Sequence, residues 1–375
     1  MKSRLVRSAV PASAAVALTL FGAGAASAAS ASPTSDAAGS RVVGHVYEAT
    51  NAIAGNAIQV FDRTADGRLV ASALVPTGGL GAGGSLHSQY GVVRSGRLLF
   101  VVNGGDSTVS TLAITREGLE LRDVQSSGGT LPVSVTVSGD VAYVLNQSSD
   151  TIDGFRVTRG GGLVALPGSS RALTPNPAGG LTAAAEVAFA PNGRTVVVTE
   201  KATNVIDTFA VHGAYLSAAV AHASVGVTPY GFDFDRHAHL VVSEAGTGSA
   251  SSYRVTPTAF STVSGAVTDT QTAACWLVVT RDGRFAYNIN AGTATISSYA
   301  ISSDGSLTLI AAVAASPGAG TGPTDAALSP DSRTLAVRLA GGVVASYAVG
   351  SDGSLTDLGS ATGAATFGTA GLASD

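Results

Sequence analysis

The sequence predicts an all-β protein, a seven-bladed β-propeller of four-stranded antiparallel blades, and three observations carry that expectation. An anchor residue recurs at Phe61, Leu112, Phe155, Phe209, Tyr253, Tyr299 and Tyr347, at spacings of 51, 43, 54, 44, 46 and 48 residues, which is the period of propeller blades. Most anchors close a strand-like motif with a β-branched residue three positions earlier, as in Ile58 with Phe61, Ile152 with Phe155, Ile206 with Phe209, Ile296 with Tyr299 and Val344 with Tyr347. Gly-containing turns and a leucine follow most of them, as in Asp66-Gly67-Arg68-Leu69, Asp304-Gly305-Ser306-Leu307 and Asp352-Gly353-Ser354-Leu355, where glycine meets the positive φ of a hairpin.

These anchors mark third strands. Upstream of them lie aliphatic runs ending in a polar residue, at 98–103, 141–146, 195–200, 240–244 and 285–290, which read as second strands. Still earlier come innermost strands at 90–93, 134–137, 186–189, 231–234, 276–279 and 325–328. The first blade has no innermost strand of its own, because 42–50 reads as its second strand. Residues 370–373 have the inner-strand pattern and no blade, so the C-terminal strand is expected to close the ring beside the first blade.

At the N-terminus Lys2, Arg4 and Arg7 precede the apolar run 14–21, and Ala26-Ser27-Ala28 follows. This is the tripartite pattern of a signal peptide over 1–28, and the apolar run is shorter than the roughly 20 residues that span a bilayer. Residues 29–40 read as a flexible lead-in and 41–375 as the propeller, in a secreted protein. Without Lys2, Arg4 and Arg7 the chain keeps 18 basic and 25 acidic residues, a balance of −7, which makes nucleic acid and anionic membranes poor partners. Cys275 is the only cysteine, so no internal disulfide is available and stability must come from packing.

The repeats resemble the lactonase family of seven-bladed propellers, the bacterial 6-phosphogluconolactonase type. The resemblance spans 44–372, and its most specific stretches are Pro191-Asn192-Gly193-Arg194 through Asn204-Val205-Ile206-Asp207-Thr208-Phe209, and Arg281-Asp282-Gly283-Arg284-Phe285-Ala286-Tyr287 through Thr295-Ile296-Ser297-Ser298-Tyr299. In that family the inner-strand entrances of the second and fourth blades often carry histidine preceded by arginine, and a glutamate ends the fourth blade's second strand. Here those positions hold Tyr90, Glu186 after Ala185, and Glu200, so only the glutamate is kept.

Alternating strands put the second-to-third and outer-to-inner connections on one face. That face has the long loops 78–89, 174–185, 270–275 and 317–324, whereas the other has short turns, and long loops on a rigid scaffold commonly carry binding. The inner-strand entrances then form an axial ring of Tyr90, Ser134, Glu186, Gly231, Trp276, Asp325 and Gly371. The second-strand ends Asn103, Asn146, Glu200, Glu244 and Asn290 lie just outside it. Together they make the expected pocket. The ring holds no arginine or lysine, so a phosphorylated sugar would lack charge-assisted donors. The resemblance therefore points to a small non-phosphorylated lactone or ester, with Glu200 or Glu186 as general base and His87 as the nearest imidazole.

Each residue also has a structural reading. The carboxylates can be satisfied by backbone amides, His87 lies in a Gly-rich loop, Tyr90 and Trp276 can stack on a sugar or pack between blades, and Cys275 reads as a small buried hydrophobe. The alternative function is a non-catalytic extracellular propeller that binds a glycan, a small polar ligand or a protein through the long-loop face. A weaker one is a cation held by Glu186, Glu200 and Asp325. No cofactor is expected: Gly79-Leu80-Gly81-Ala82-Gly83-Gly84 precedes a strand, with no helix to bind a dinucleotide, and no Gly-x-Ser-x-Gly elbow occurs. His237 and His239 alternate along one strand without a third metal ligand nearby in sequence.

Overall fold

The computed structural model describes residues 39–364, 366–368 and 371–375. The expected signal peptide, nearly all of the lead-in and Ala370 lie outside the described residues. Seven antiparallel sheets stand in a ring, their innermost strands touching in sequence order around an axis. From inside outward, blade 1 is Leu372–Ser374, Val42–Ala49, Ala57–Thr64 and Leu69–Pro76, and the chain then runs through blades 2 to 7. The C-terminal strand closes the ring as expected, pairing Leu372 with Glu48, Ala373 with Tyr47 and Ser374 with Val46.

The repeat in the sequence is a repeat in register. Each anchor faces the same position of its second strand, namely Val46, Leu99, Ala142, Val196, Leu240, Ala286 and Leu335 in turn. No anchor is more than 3% exposed, because these side chains fill the space between neighbouring blades. In blades 1, 2, 5, 6 and 7 the pairing to the outer strand slips at the anchor, a β-bulge that bends the strand and increases its twist. In blades 3 and 4 the outer strand is instead broken into two short pieces, Leu163–Ala165 with Arg171–Ala172 and Tyr215–Leu216 with Val220–Ala223.

A second repeat shapes the axis. Three residues before each member of the expected axial ring the backbone is left-handed, at His87, Leu131, Ala183, Thr228, Ala273, Gly322 and Gly368, with φ between 49° and 68°. Five of these are not glycine, although that region disfavours L side chains, so the kink is imposed by the turn into the innermost strand. Blade 2 departs slightly from expectation: Tyr90 is itself at φ +60° and its strand is Val92–Ser95.

Candidate functional site

The structure brings the expected axial ring together, but as a girdle of hydrogen bonds rather than the walls of an open pocket. An innermost strand has one unpaired edge, whose backbone N–H groups must find partners when buried. Ser134 Oγ accepts from Val187 N at 3.2 Å, and Glu186 Oε2 accepts from Phe232 N at 2.7 Å. The N–H of Leu372 reaches Asp325, and Val135 N donates to the Tyr90 carbonyl at 3.0 Å. In each case one blade's entrance residue caps the next blade's inner edge.

Gly231 has no side chain to do the same for Leu277, and Gln89 does it instead. Its Oε1 accepts from Leu277 N at 3.0 Å, while its Nε2 donates to Leu277 O at 2.9 Å and Phe232 O at 3.1 Å. A Cβ on residue 231 would lie 2.2 Å from Gln89 Oε1, so the glycine makes room for this side chain. The chain just before Tyr90 thus crosses the axis, and Trp276 Nε1 fastens it by donating to Ser88 O at 2.8 Å. Trp276 packs against Tyr230, 5.1 Å between ring centroids, and is 3% exposed. The open axial pocket expected on the long-loop face is therefore corrected: Ser134, Glu186, Trp276 and Asp325 are buried.

The second-strand ends have a common role within the blades. Asn103 Nδ2 donates to Ser110 Oγ at 2.7 Å, Asn146 Nδ2 to Asp153 Oδ2 at 3.0 Å, and Asn290 Nδ2 to Ser297 Oγ at 2.8 Å. Ser251 Oγ donates to Glu244 Oε1 at 2.6 Å, and Glu200 stands against Asp207. The same residues reach the preceding blade: Thr77 Oγ1 donates to Asn103 Oδ1 at 2.8 Å, Asn146 Nδ2 to Ser127 O at 3.2 Å, and Ser224 Oγ to Glu244 Oε1 at 2.6 Å. All five are fully buried. Burial, with Asp207 alongside, raises Glu200 to about 8, and its Oε2 accepts from Thr203 Oγ1 at 2.6 Å.

An axial cavity of about 460 Å³ opens instead on the short-turn face. Of the expected residues only Tyr90 lines it, at the inner end, and its walls include Val92, Val135, Val278 and Ala327. Asp233 also lines it, with Oδ1 accepting from Phe234 N at 2.7 Å and Oδ2 from Val279 N at 3.0 Å. Burial raises Asp233 to about 6 and Asp325 to about 7, and it holds Glu186 well above the usual carboxyl range. The Tyr90 phenol is raised by burial and by the nearby Asp233, Glu186 and Asp325. The entrance ring has no basic residue, but Arg94 and Arg281 stand at the mouth of this cavity. The sequence reading missed Asp233, Arg94, Arg281 and Gln89.

The remaining candidates are scattered. His87 is exposed on the long-loop face, where the Lys201 ammonium donates to its carbonyl and lies 4.8 Å from the Tyr230 ring centroid. His239 Nδ1 lies 2.8 Å from Asp235 Oδ2, which accounts for its burial. Cys275, expected to be buried, is only half-buried, and desolvation raises its thiol to about 12. Among the described residues no three His, Cys, Asp or Glu side chains converge as metal ligands. This removes the cation site drawn from Glu186, Glu200 and Asp325.

Known structures share this architecture. A putative 6-phosphogluconolactonase from Bacteroides fragilis superposes with a TM-score of 0.68 at 18% identity, over 88% of this chain and 98% of the other. A protein from Lactobacillus plantarum gives 0.70 at 18% identity, over 88% and 99%. The periplasmic gluconolactonase of Pseudomonas aeruginosa gives 0.68 at 16% identity, over 86% and 97%. At such identities the likeness is one of fold. No curated protein matches by sequence. The family described as "Lactonase, 7-bladed beta-propeller" matches residues 54–177, 168–274 and 244–370, nearly the whole propeller, and the chain belongs to that family.

Proposed function

We propose that this protein hydrolyses a small, non-phosphorylated lactone in the axial cavity, with Asp233 as general base, after export through its N-terminal signal. The observation that carries the reading is the Asp233 carboxyl on the cavity wall, raised by burial to about 6, because a base works best when its pKa lies near the working pH. Two backbone amides orient it. As carboxylate it takes a proton from a water molecule as that water adds to the lactone carbonyl. The Tyr90 O–H, kept neutral by its raised pKa, supplies a donor for the developing oxyanion. The ring oxygen then leaves with the proton returned by Asp233, giving the hydroxy acid.

The volume of about 460 Å³ falls in the usual range for small-ligand sites, roughly 300–1,000 Å³. The Asp233 carboxylate near Tyr90 opposes entry of a phosphate dianion, since like charges in a desolvated site repel strongly.

Unphosphorylated sugar lactones, aromatic lactones and acyl-homoserine lactones should be assayed with the mature protein, Asp233→Asn and Glu200→Gln. The expected result is turnover that falls by about 10²–10⁴-fold in Asp233→Asn and persists in Glu200→Gln, with both variants folded. Turnover lost only in Glu200→Gln would move the chemistry to the long-loop face. Ligand binding without turnover of any lactone would favour the non-catalytic reading.

A further inference from the structure

Next to the axial cavity lies a second one of about 600 Å³, framed by the inner-to-second turns of blades 5, 6 and 7. These turns contribute Arg236, Arg281, Arg284 and Arg333, all exposed, against the carboxylates of Asp282 and Asp331. The frame is tightly built. A Cβ on Gly283 would lie 2.8 Å from Arg236 N, so the turns of blades 5 and 6 meet at backbone distance. Arg281 N donates to Ser332 Oγ at 2.9 Å, tying blade 6 to blade 7. Arg284 is fixed by Asp282 Oδ2 at 2.6 Å and by Ser351 O at 3.3 Å, with its guanidinium 4.9 Å from the Phe285 ring centroid. Arg333 lies 3.9 Å from Asp331 and stays 86% exposed.

We propose that this pocket binds acidic carbohydrate, a chain carrying a carboxylate on successive sugars. Four guanidinium groups on three blades offer planar, forked donors, which match carboxylates in pairs. The interleaved Asp282 and Asp331, with Ser332 and Ser351, accept hydrogen bonds from sugar hydroxyls. The same two carboxylates oppose the denser charge of a phosphate chain. Arginines on three successive blades call for a ligand longer than one sugar, and Arg281 and Ser332 line both cavities, so the chain can run on toward the axis. The site stands independently of whether the axial cavity turns over a lactone.

The test is calorimetric titration of the mature protein with trigalacturonate, maltotriose and inorganic tripolyphosphate at 25 mM and 200 mM NaCl, repeated with Arg333→Gln and Arg236→Gln. Trigalacturonate is expected to bind, to weaken several-fold at the higher salt as an exposed ionic contact should, and to weaken about tenfold in each variant, about 1.4 kcal/mol. The variants should keep the parent's thermal midpoint, since both side chains are exposed. Absence of trigalacturonate binding, equal binding of maltotriose, tighter binding of tripolyphosphate, or unchanged affinity in both variants would each overturn the proposal.

Discussion

Replacing Gln89 with alanine removes a side chain that reaches across the axis to the inner edges of both blade 5 and blade 6. The Leu277 N–H, now accepted at 3.0 Å, would be left buried, and the carbonyls of Leu277 and Phe232 would each lose a donor. A buried, unsatisfied donor costs about 1–3 kcal/mol, and the void left in a fully buried site adds to this, so the expected loss is about 3 kcal/mol. Unfolding entropy of about 2.1 cal/mol/K per residue over roughly 330 residues gives about 0.7 kcal/mol/K, so the thermal midpoint should fall by about 4 °C. The measurement is the unfolding transition by calorimetry, with urea denaturation as a second readout. Gln89→Glu supplies the sign test. It keeps an acceptor for Leu277 N but turns a carboxylate oxygen toward two carbonyls, so its native pKa should rise. Such a group stabilises fully below its unfolded pKa and loses that contribution as pH rises through its folded pKa. The glutamate variant should therefore approach the parent near pH 5 and fall behind it at pH 8. An alanine variant with the parent's midpoint, or a glutamate variant with no pH dependence relative to the parent, would refute the view that this segment is a structural strap across the axis.

Further outcomes follow from other buried groups. Burial raises Glu48 and Asp325 to about 7 and Glu200 to about 8, so the folded chain retains protons that the unfolded chain releases near pH 4. Their contribution is complete below that pH and is lost as pH rises through 7 to 8; a melting series should show the midpoint falling from pH 5 to pH 8.5. Arg338 Nε lies 2.8 Å from Glu48 Oε1 with both side chains buried, and breaking such a pair costs about 3–5 kcal/mol. Arg338→Met should thus lower the denaturation midpoint, and more at pH 8 than at pH 5, where Glu48 already carries a proton. Asp375 accepts from His45 N at 2.6 Å and Tyr47 O–H at 2.7 Å, where the C-terminal strand meets blade 1. Asp375→Ala should lower stability by about 1–3 kcal/mol and speed amide exchange in residues 372–374. The pH profile of kcat/KM for lactone turnover should rise with an apparent pKa near that of Asp233, as its base form appears; a flat profile between pH 5 and 8 would count against Asp233.

Much of the site was written in the chain at short range. The five polar ends Asn103, Asn146, Glu200, Glu244 and Asn290 each have a polar residue seven positions later, at Ser110, Asp153, Asp207, Ser251 and Ser297. A separation that repeats in five blades is a structural signal, and it explains why these residues clasp strands instead of lining a pocket. Asp233 was harder to see. It sits in an ordinary inner strand, and its raised pKa comes from burial that only the assembled ring supplies.

The sequence by itself determined the seven blades, the anchor in each third strand and the closure of the ring by the C-terminal strand. Those features rest on hydrophobic periodicity and turn chemistry within units of 43 to 54 residues, and each repeat states them again. Only the tertiary structure decided which face of the axis is open. The unpaired inner edges exist only once blades meet, and the acceptor that Gly231 lacks comes from Gln89, 188 residues before the Leu277 amide that it serves. No local pattern encodes a contact at that distance, so the same ring of polar entrances reads equally as a pocket or as a seal until the blades are placed around it.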